Sequence, residues 1–511
     1  MSENNVNNVA KEDSSVSSYV IIQNYGGSII QKLKNDFTTI AKESYPEADD
    51  VPIVIVETSN LNYGDYQFNS SMALSKVLRL NHIGDWGTQF GMLIAHLQDE
   101  FPSYLTEAPP IGDLLKFYKE SKKRFDEDED FKQRAYQCVV KLQKFDEDIV
   151  KAWKLICDVS REDFQRIYKR LNISIIERGE SFYQSRMIDL ARELEENGKL
   201  IEDDGRKILF AQGISVPLTI VKRDGGCTYD TSDMAALKQR LFEEKADWII
   251  YVVDAGQSLH FETVFGAGRD LGYYNPKEKR VEHVGFGLVC GDDKKKLKTR
   301  EGKAIKLTEL LDEGVKRAKA KMEAKRSEKS DTYDNMTDED FEAAYHAVAY
   351  SGIKYADLSQ NRKSDYVFSF DRMLDDRGNT AVYLLYAYAR IRSIVRKAGA
   401  PKTELLTYLD QLQENNEPFP LEHAAEFKLA KHILKFSDCI LTAMDSLLMN
   451  QICDYVYILA TTFHDFYNEC YVIHNDRNTV LFKNRLVLCE VTADVMAVCF
   501  KILGLNVVEK M

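Results

Sequence analysis

Apolar runs alternate regularly with helical segments between Ile208 and Val289, and this pattern leaves few possible folds for the region. Pro217 to Val221 is rich in strand-forming residues, and a helix is predicted to follow it over 233–245. Trp248 to Val253 is continuously apolar, which is typical of a strand buried on both faces. A further strand is predicted over 284–289. Because strands that alternate with helices form parallel sheets, this region is predicted to be an α/β domain with a ligand site where the strands end.

Composition indicates a globular, cytosolic chain. Its 511 residues have room for about two to four domains, and 44% apolar residues with only 10 prolines are typical of folded proteins. The nine cysteines include no Cys-x-x-Cys pair, which argues against a disulfide framework and against a zinc site. No apolar run approaches the roughly 20 residues of a membrane span, and the polar start is unlike a secretory signal. We therefore expect no membrane partner.

The remaining segments are predicted from their periodicity. Residues 1–18 are polar and predict a disordered leader. The predicted helices are 19–41, most of 98–200, 307–326 and nearly everything from Phe341 onward, where the last helix spans 485–503 and ends at Gly504. The predicted short strands are 53–56 and 173–176.

Asn81 to Gly91 places three glycines, a Trp and a Phe beside a His, an Asp and a Gln. Glycines allow close backbone approach and aromatic rings form walls, so the stretch suits the floor of a small-molecule site. A turn packed under the core is the commoner explanation for the same composition. Continued through Leu97, however, the stretch resembles the segment behind the active site of arginyl-tRNA synthetases.

Two further blocks resemble the same family. Asn62 to Leu74 resembles the start of the N-terminal domain with which these enzymes hold the elbow of tRNA, although a turn that opens an amphipathic helix explains the residues alone. Phe368 to Arg392 resembles the hinge and first helix of their helical anticodon-binding domain. The resemblance covers nearly all of 77–511 and, in fragments, about 40–76.

This resemblance implies an α/β fold, the Rossmann-type parallel sheet of class I synthetases, followed by an all-α anticodon-binding domain. The implied segments are a leader over 1–18, a remnant of the elbow-binding domain over 19–76, a catalytic domain with a helical insertion over 77–340, and a helical hinge and anticodon-binding domain over 341–511.

The chain departs from the family between Lys76 and Val77. The family has there the first strand of its sheet, with a Ser-Pro-Asn turn and a His-x-Gly-His signature whose histidines hold ATP. Here the sequence runs directly into Val77 to Leu80, which resembles the second strand, and His82-Ile83-Gly84-Asp85 ends in Asp rather than His. We therefore expect the first strand to be missing.

Four residues are candidates for binding the amino acid. Tyr229 and Asp233 lie four apart, which an N-capping Ser or Asp with a packed Tyr would explain without a ligand. In the family a Tyr and an Asp at this spacing face the substrate, and a planar guanidinium fits a carboxylate with an aromatic neighbour. The resemblance also implies that Gln257 contacts the amino acid and that Glu180, otherwise a common helix-start residue, completes guanidinium recognition.

A second group is implied to bind ATP. The resemblance assigns this role to His260 and to His283 with Phe286 and Gly287. A satisfied helix-start histidine explains His260 about as well, and a buried strand histidine explains His283 nearly as well.

A basic loop is implied to be catalytic. Lys296, Lys298 and Arg300 occupy the place of the lysine-rich loop whose cations neutralise charge developing on the ATP phosphates in class I synthetases. A solvated lysine run is the alternative for the residues alone.

Candidate tRNA contacts lie in the block that resembles the anticodon-binding domain. The net charge of −13 gives no sign of an RNA partner, but a local basic face can still bind phosphate. Tyrosines there can stack on unpaired bases and arginines can bind phosphates, although a buried tyrosine-rich helix would have the same sequence. The candidates are Asn379, Thr380, Tyr383, Tyr386, Arg390 and Arg392.

The implied function is arginine–tRNA ligation. ATP, accompanied by Mg²⁺, is expected as a substrate rather than as a tightly bound cofactor, and the partners are L-arginine and its tRNA, with no DNA. A monomer is expected, alone or associated with other synthetases. The alternatives are a tRNA-binding protein without ligase activity, and a product of incomplete splicing or gene prediction at Lys76–Val77.

Overall fold

The computed structural model describes the backbone of 55–57 and 66–68 and, in full, most of the chain from Arg79 to Val508. The described ranges are 79–107, 114–291, 305–327, 336–474 and 480–508, together with the single residues 293 and 295. The side chains of residues 88, 474, 480 and 481 are not described. The predicted leader over 1–18 and helix over 19–41 lie outside them. Strand β1 (Ile55–Glu57) overlaps the predicted strand at 53–56 and pairs antiparallel with β2 (Tyr66–Phe68).

The chain divides into two compact units, 78–287 and 288–511, the latter grouped with 1–77. The predicted boundary at residue 340 lies inside the second unit. The reason is that the charged helix predicted at 307–326 packs on the helix that follows it. We call 78–287 the α/β unit and 288–511 the helical unit.

The α/β unit contains the predicted helical insertion. Its helices are α1 (Thr88–Glu100), α2 (Leu114–Glu127), α3 (Glu129–Gln143) and α4 (Glu147–Arg170). The side chains of Asp128 and Asp146 cap α3 and α4 by accepting hydrogen bonds from their first-turn N–H groups. Helices α1 and α3 approach so closely at Gly91 that a Cβ there would overlap the Ala135 carbonyl oxygen.

The strands of this unit form parallel pairs and one antiparallel sheet. Strand β3 (Leu80–Asn81) pairs parallel with β4 (Ile176–Glu177), which lies at the end of the predicted strand and precedes α5 (Glu180–Glu196). The antiparallel sheet consists of β5 (Ile201–Asp203), β6 (Arg206–Leu209) and β7 (Leu218–Val221). After α6 (Tyr229–Phe242) come β8 (Trp248–Tyr251), α7 (Ser258–Asp270) and β9 (Arg280–His283), with β8 parallel to β9. Among the described residues no hydrogen bond joins the two parallel pairs.

The prediction that β8 is buried on both faces is wrong. Ile249 and Tyr251 are buried, and the Tyr251 ring lies 4.9 Å from that of Phe261 on α7. The opposite face is open, and its exposed side chains are Trp248 (37%), Ile250 (41%) and Val252 (64%). Within the described chain β8 has one strand neighbour and is covered on one face, so an apolar run did not guarantee burial.

The strand predicted over 284–289 is displaced. The structure has β9 before it and β10 (Val289–Cys290) at its end, and only an isolated bridge between Asp254 and Phe286 in the interval. Glycines at 285 and 287 interrupt the apolar run and weaken its strand propensity.

The helical unit confirms the prediction of a mainly helical second half. Its helices are α8 (Leu307–Ser327), α9 (Asp338–Leu358), α10 (Phe370–Met373), α11 (Ala381–Ala398), α12 (Lys402–Glu414), α13 (Ala424–Leu434), α14 (Phe436–Ser446), α15 (Asn450–Glu469) and α16 (Lys483–Ile502). Strand β10 pairs parallel with β11 (Tyr366–Val367), and β12 (Ile473–His474) pairs antiparallel with β13 (Val480–Leu481). Helices α11, α15 and α16 contribute most of one large core. No helix in the described part of the chain combines the length and apolar character needed to cross a membrane.

Candidate functional site

Helix α6 places Tyr229 and Asp233 on the same side. The helix begins at Tyr229, earlier than predicted, because Thr228 and Thr231 form a capping box. The Thr228 hydroxyl accepts a hydrogen bond from the Asp230 N–H at 3.1 Å, and the Thr231 hydroxyl accepts one from the Thr228 N–H at 3.2 Å. Residues four apart on a helix are neighbours, so the tyrosine ring and the carboxylate border one site.

His260 on α7 joins this site through two carboxylates. Its Nε2 lies 2.7 Å from Asp233 Oδ2, and its Nδ1 lies 3.3 Å from Asp230 Oδ1. The ring of Tyr229 lies 5.1 Å from the imidazole. The structure therefore brings together three of the predicted residues, and the contact of His260 is with the predicted arginine site. Its predicted role in ATP binding stays a prediction.

The pKa values of His260 and Glu180 are shifted from their ordinary values. Burial alone would lower the pKa of His260, but hydrogen bonds to Asp230 and Asp233 outweigh it and raise the pKa to about 9. Burial, followed by the charges of Asp85 and Asp233, raises the pKa of Glu180 to about 7. At neutral pH His260 is therefore an imidazolium, whereas Glu180 is poised between its neutral and ionised forms.

The stretch Asn81–Gly91 positions Glu180. Asp85 Oδ1 accepts a hydrogen bond from the Ser181 N–H at 2.8 Å, and Asp85 Oδ2 accepts one from the Ser181 hydroxyl at 2.5 Å. A Cβ at Gly179 would overlap this carboxylate, so the close approach requires glycine. Asp85 therefore caps the helix that begins with Glu180, which agrees with a packed turn, and the predicted role of the stretch as the floor of a small-molecule site stays a prediction.

A buried polar group that the sequence analysis missed adjoins Asp233. His82 stacks on the ring of Tyr183 at 5.1 Å, and its Nδ1 lies 3.4 Å from Arg240 Nη2. The guanidinium of Arg240, a residue 9% exposed, lies 4.8 Å from the ring centre of Tyr251. Burial lowers the pKa of His82. The sequence signal for His82 was its place in the stretch Asn81–Gly91, and the signal for Arg240 was its position seven residues after Asp233, on the same helix face.

Asp230 was also missed, although it is a firmly held carboxylate. It is 8% exposed, and its Oδ2 accepts a hydrogen bond from the Thr219 N–H of β7 at 2.7 Å. The available signal was an acidic residue three positions before Asp233, and it lies in the first turn of α6.

The other predicted amino-acid-binding and ATP-binding residues that the structure describes make no described contact with Asp233. Gln257 is exposed and precedes α7 directly. His283 lies 3.1 Å from the Val253 carbonyl through Nε2 and stacks on Phe261, which gives it a structural role at the end of β8. Phe286 is 41% exposed, its carbonyl accepts a hydrogen bond from the Ala255 N–H, and Gly287 follows it. The cations predicted to be catalytic, Lys296, Lys298 and Arg300, lie outside the described residues.

Three of the predicted tRNA contacts line a cavity in the helical unit. The cavity measures about 290 Å³ and contains Tyr383, Tyr386 and Arg390 of α11. Arg390 lies 4.9 Å from the ring centre of Tyr467, and Lys325 lies 4.7 Å from that of Tyr386. Aromatic faces beside cations fit the chemistry of a nucleotide.

The other three predicted contacts have partners inside the unit. Asn379 accepts a hydrogen bond from the Tyr355 hydroxyl at 2.5 Å. Thr380 caps α11 by accepting a hydrogen bond from the Tyr383 N–H, and Arg392 forms a 2.9 Å ion pair with Glu490. These contacts stabilise the start and the middle of α11.

No cluster of three or more His, Cys, Asp or Glu side chains within the described ranges is arranged to hold a metal ion.

Comparison with known proteins agrees with this architecture. The family described as "tRNA synthetases class I (R), catalytic domain" matches residues 69–370, and the "DALR anticodon binding domain" matches 384–511. The bovine cytoplasmic arginine–tRNA ligase is 59% identical over 439 residues, which are 85% of this chain and 65% of the relative. A probable cytoplasmic arginine–tRNA ligase of Caenorhabditis elegans is 60% identical over 85% of this chain and 60% of the relative. This chain thus spans less than two thirds of either relative.

Solved structures show the same likeness. The crystal structure of arginyl-tRNA synthetase from Plasmodium falciparum has a TM-score of 0.71 at 34% identity, over 85% of this chain and 70% of that one. The Thermus thermophilus arginyl-tRNA synthetase shares the fold, with a TM-score of 0.63 at 20% identity over 85% of this chain and 76% of that one. The chain therefore belongs to the arginyl branch of the class I tRNA synthetase family.

Proposed function

We propose that this protein is an arginine–tRNA ligase. The carboxylate of L-arginine attacks the α-phosphate of ATP to form arginyl-adenylate and pyrophosphate, and the arginyl group then passes to the terminal ribose of its tRNA. No side chain acts as nucleophile, since positioning and electrostatics carry the rate. The observation that carries this proposal is that Asp233 and Tyr229 of α6 both approach His260, the carboxylate at 2.7 Å and the ring centre at 5.1 Å.

The charge of the site supports a cationic substrate. Asp233 and Glu180 are close enough for the charge of Asp233 to raise the pKa of Glu180, and both belong to buried or half-buried helix positions. A guanidinium presents several N–H donors in a planar fork, so one cation can satisfy both carboxylates. Tyr229, 64% exposed, offers its ring face at the mouth of the site.

The cellular location is proposed from the relatives, and the ATP chemistry and the oligomeric state are proposed from the sequence. The bovine and nematode relatives are named as cytoplasmic, and we propose the same location for this protein. We further propose that ATP enters with Mg²⁺, that no cofactor is tightly bound, and that the protein is a monomer. Lys296, Lys298 and Arg300 are proposed to neutralise the ATP phosphates.

Arginine-dependent ATP–pyrophosphate exchange, measured with and without the cognate tRNA, tests the ligase. We expect exchange only with tRNA present, and strongly reduced exchange in Asp233→Asn. The matched control is Asp224→Asn, because Asp224 is exposed and its Oδ1 accepts a turn hydrogen bond from the Gly226 N–H that Asn can also accept. Equal activity in both variants would refute the role of Asp233.

A tRNA-binding protein without ligase activity is the second candidate. The separation of the two parallel strand pairs in the described chain favours it, because a sheet with open inner edges holds its ligand site less rigidly. The cavity in the helical unit does not depend on those strands. Retained tRNA binding with no exchange under any condition would establish this candidate over the ligase.

A further inference from the structure

Three charged side chains of the candidate site contact one another in a row, in the order Asp233, His260 and Asp230. The last of them, Asp230, is bound to a backbone N–H group. The Thr219 N–H of β7 donates to Asp230 Oδ2 at 2.7 Å, Asp230 Oδ1 lies 3.3 Å from His260 Nδ1, and His260 Nε2 lies 2.7 Å from Asp233 Oδ2. The side chains of the three residues are only 11%, 12% and 18% exposed, in that order. Because water screens such contacts little, the position of one charge constrains the next.

The histidine occupies one oxygen of the predicted substrate carboxylate. A carboxylate can receive both arms of a guanidinium fork only if both oxygens are available. His260 occupies one acceptor position of Asp233 Oδ2, and no hydrogen bond among the described residues reaches Oδ1. A guanidinium that donates to Oδ1 can place its other arm on a second acceptor, and Glu180 suits this role because its carboxyl group is electrostatically coupled to Asp233.

The titratable groups that face His260 are few. Asp230, Asp233 and Tyr229 all approach it from α6, and the adjacent ring on its own helix is that of Phe261, which carries no charge. The charge of Asp233 also acts on Glu180 and His82. The charge of His260 therefore depends chiefly on the two aspartates.

We propose that Asp230 is a positioning residue for the arginine site. Asp230 holds the charged ring of His260 in place, and His260 in turn fixes the Asp233 carboxylate so that one of its oxygens is directed to the substrate. This inference rests on the proposed function for the identity of the ligand. The arrangement of charges in the free protein does not depend on it and can be tested separately.

The first measurement is the titration of His260 in the full chain with ¹³C-labelled histidine, followed by NMR, with His260→Gln used to assign the signal. In the unchanged protein we expect a midpoint at about 9, and in Asp230→Asn a midpoint lowered toward the ordinary value of 6.5. The control, Asp224→Asn, should leave the midpoint in place. A midpoint that is the same with and without the Asp230 charge would overturn the proposal.

The second measurement is L-arginine binding by calorimetry in a double-mutant cycle. Asp230→Asn should weaken arginine binding about tenfold, as expected for loss of one charge-assisted hydrogen bond. In the His260→Gln background, where the Gln amide can still donate to Asp233, the same change should have almost no further effect. An equal loss in both backgrounds would show that Asp230 acts only by anchoring β7, and would refute the role through His260.

A third measurement covers the case in which Asp230→Asn does not fold. Arginine affinity of the unchanged protein should fall as pH rises through about 9, where His260 loses its charge, by more than in His260→Gln. That comparison removes the contribution of the ligand's own α-amino group. An identical fall in both proteins would overturn the proposal. Absence of arginine binding at every pH would instead refute the proposed function, and the NMR titration would still decide the charge arrangement.

Discussion

The α/β unit and the helical unit differ in what holds their ligand surfaces together. In the α/β unit the candidate site is a set of charges whose partners come from separate segments, and one face of β8 is exposed. In the helical unit the aromatic cavity lies between helices that share one large core. Helices satisfy their own backbone groups, whereas strands need neighbours. The arginine site therefore depends on contacts between distant segments, and the cavity depends mainly on packing.

The largest expected effect concerns how strongly the packed core of the helical unit contributes to stability. Phe466→Ala removes a fully buried ring and should lower the free energy of unfolding by about 3–5 kcal/mol. The matched control is Phe427→Ala, at a residue 59% exposed, which should change it by less than about 0.5 kcal/mol.

Urea unfolding can separate the two units, because all three tryptophans, Trp86, Trp153 and Trp248, lie in the α/β unit. Phe466→Ala should shift the far-ultraviolet circular dichroism transition and leave the tryptophan fluorescence transition nearly unchanged. Equal shifts by both probes would mean that the two units unfold together.

A second effect concerns the charge of the arginine site. Asp233→Asn removes the carboxylate and leaves the imidazolium of His260 without one of its two partners, so arginine binding should weaken about 10- to 100-fold. Calorimetric titration with L-arginine measures this. An affinity within about twofold of the unchanged protein would place the guanidinium elsewhere.

A third effect of similar or smaller size concerns the cavity of the helical unit. Tyr386→Ala should weaken tRNA binding by about 1–3 kcal/mol if a base stacks on this ring, whereas Tyr386→Phe should retain most of the affinity. Filter binding at fixed salt concentration is the measurement. If the alanine variant binds tRNA like the unchanged protein, the cavity does not hold a base.

The smallest effect is a pH dependence that belongs to the α/β unit alone. The pKa of Glu180 is raised to about 7, so this group is neutral below that pH and ionised above it. A cationic ligand binds better to the ionised form, so arginine affinity should rise as pH increases through about 7 and binding there should release protons. Calorimetry in buffers of different ionisation enthalpy detects the release. Glu180→Gln should abolish it, and an unchanged release in that variant would assign it to another group.

The same carboxyl group should affect stability with the opposite sign. Because its pKa is higher in the folded protein than its ordinary value of 4.5, folding favours the protonated form. The contribution of Glu180 to stability is therefore lost as pH rises from about 4.5 through about 7. Unfolding midpoints of the unchanged protein and of Glu180→Gln across this window provide the check.

Elements that depend on residues close together in the chain could be predicted from the amino-acid sequence. Apolar periodicity correctly indicated the long helices, including α8 and α16, and the spacing of Tyr229 and Asp233 placed both on one face once α6 began at Tyr229. It was less successful with strands. The apolar run at β8 predicted burial on both faces, but burial depends on which neighbours arrive, and these are remote in sequence.

The pairing of the charges in the candidate site could not be predicted from the sequence, because it depends on how remote segments pack. His260 had two comparable interpretations from sequence, and neither included an ion pair with Asp233, 27 residues away. The role of Asp85 at the start of α5, and the burial of Arg240 beside His82, join residues about 100 to 160 positions apart. The hydrogen bonds and the apolar periodicity of a helix involve residues that are close together in the sequence, so a local sequence pattern is enough to predict them. Electrostatic coupling depends on distance in space and on burial, which exist only after the segments have packed.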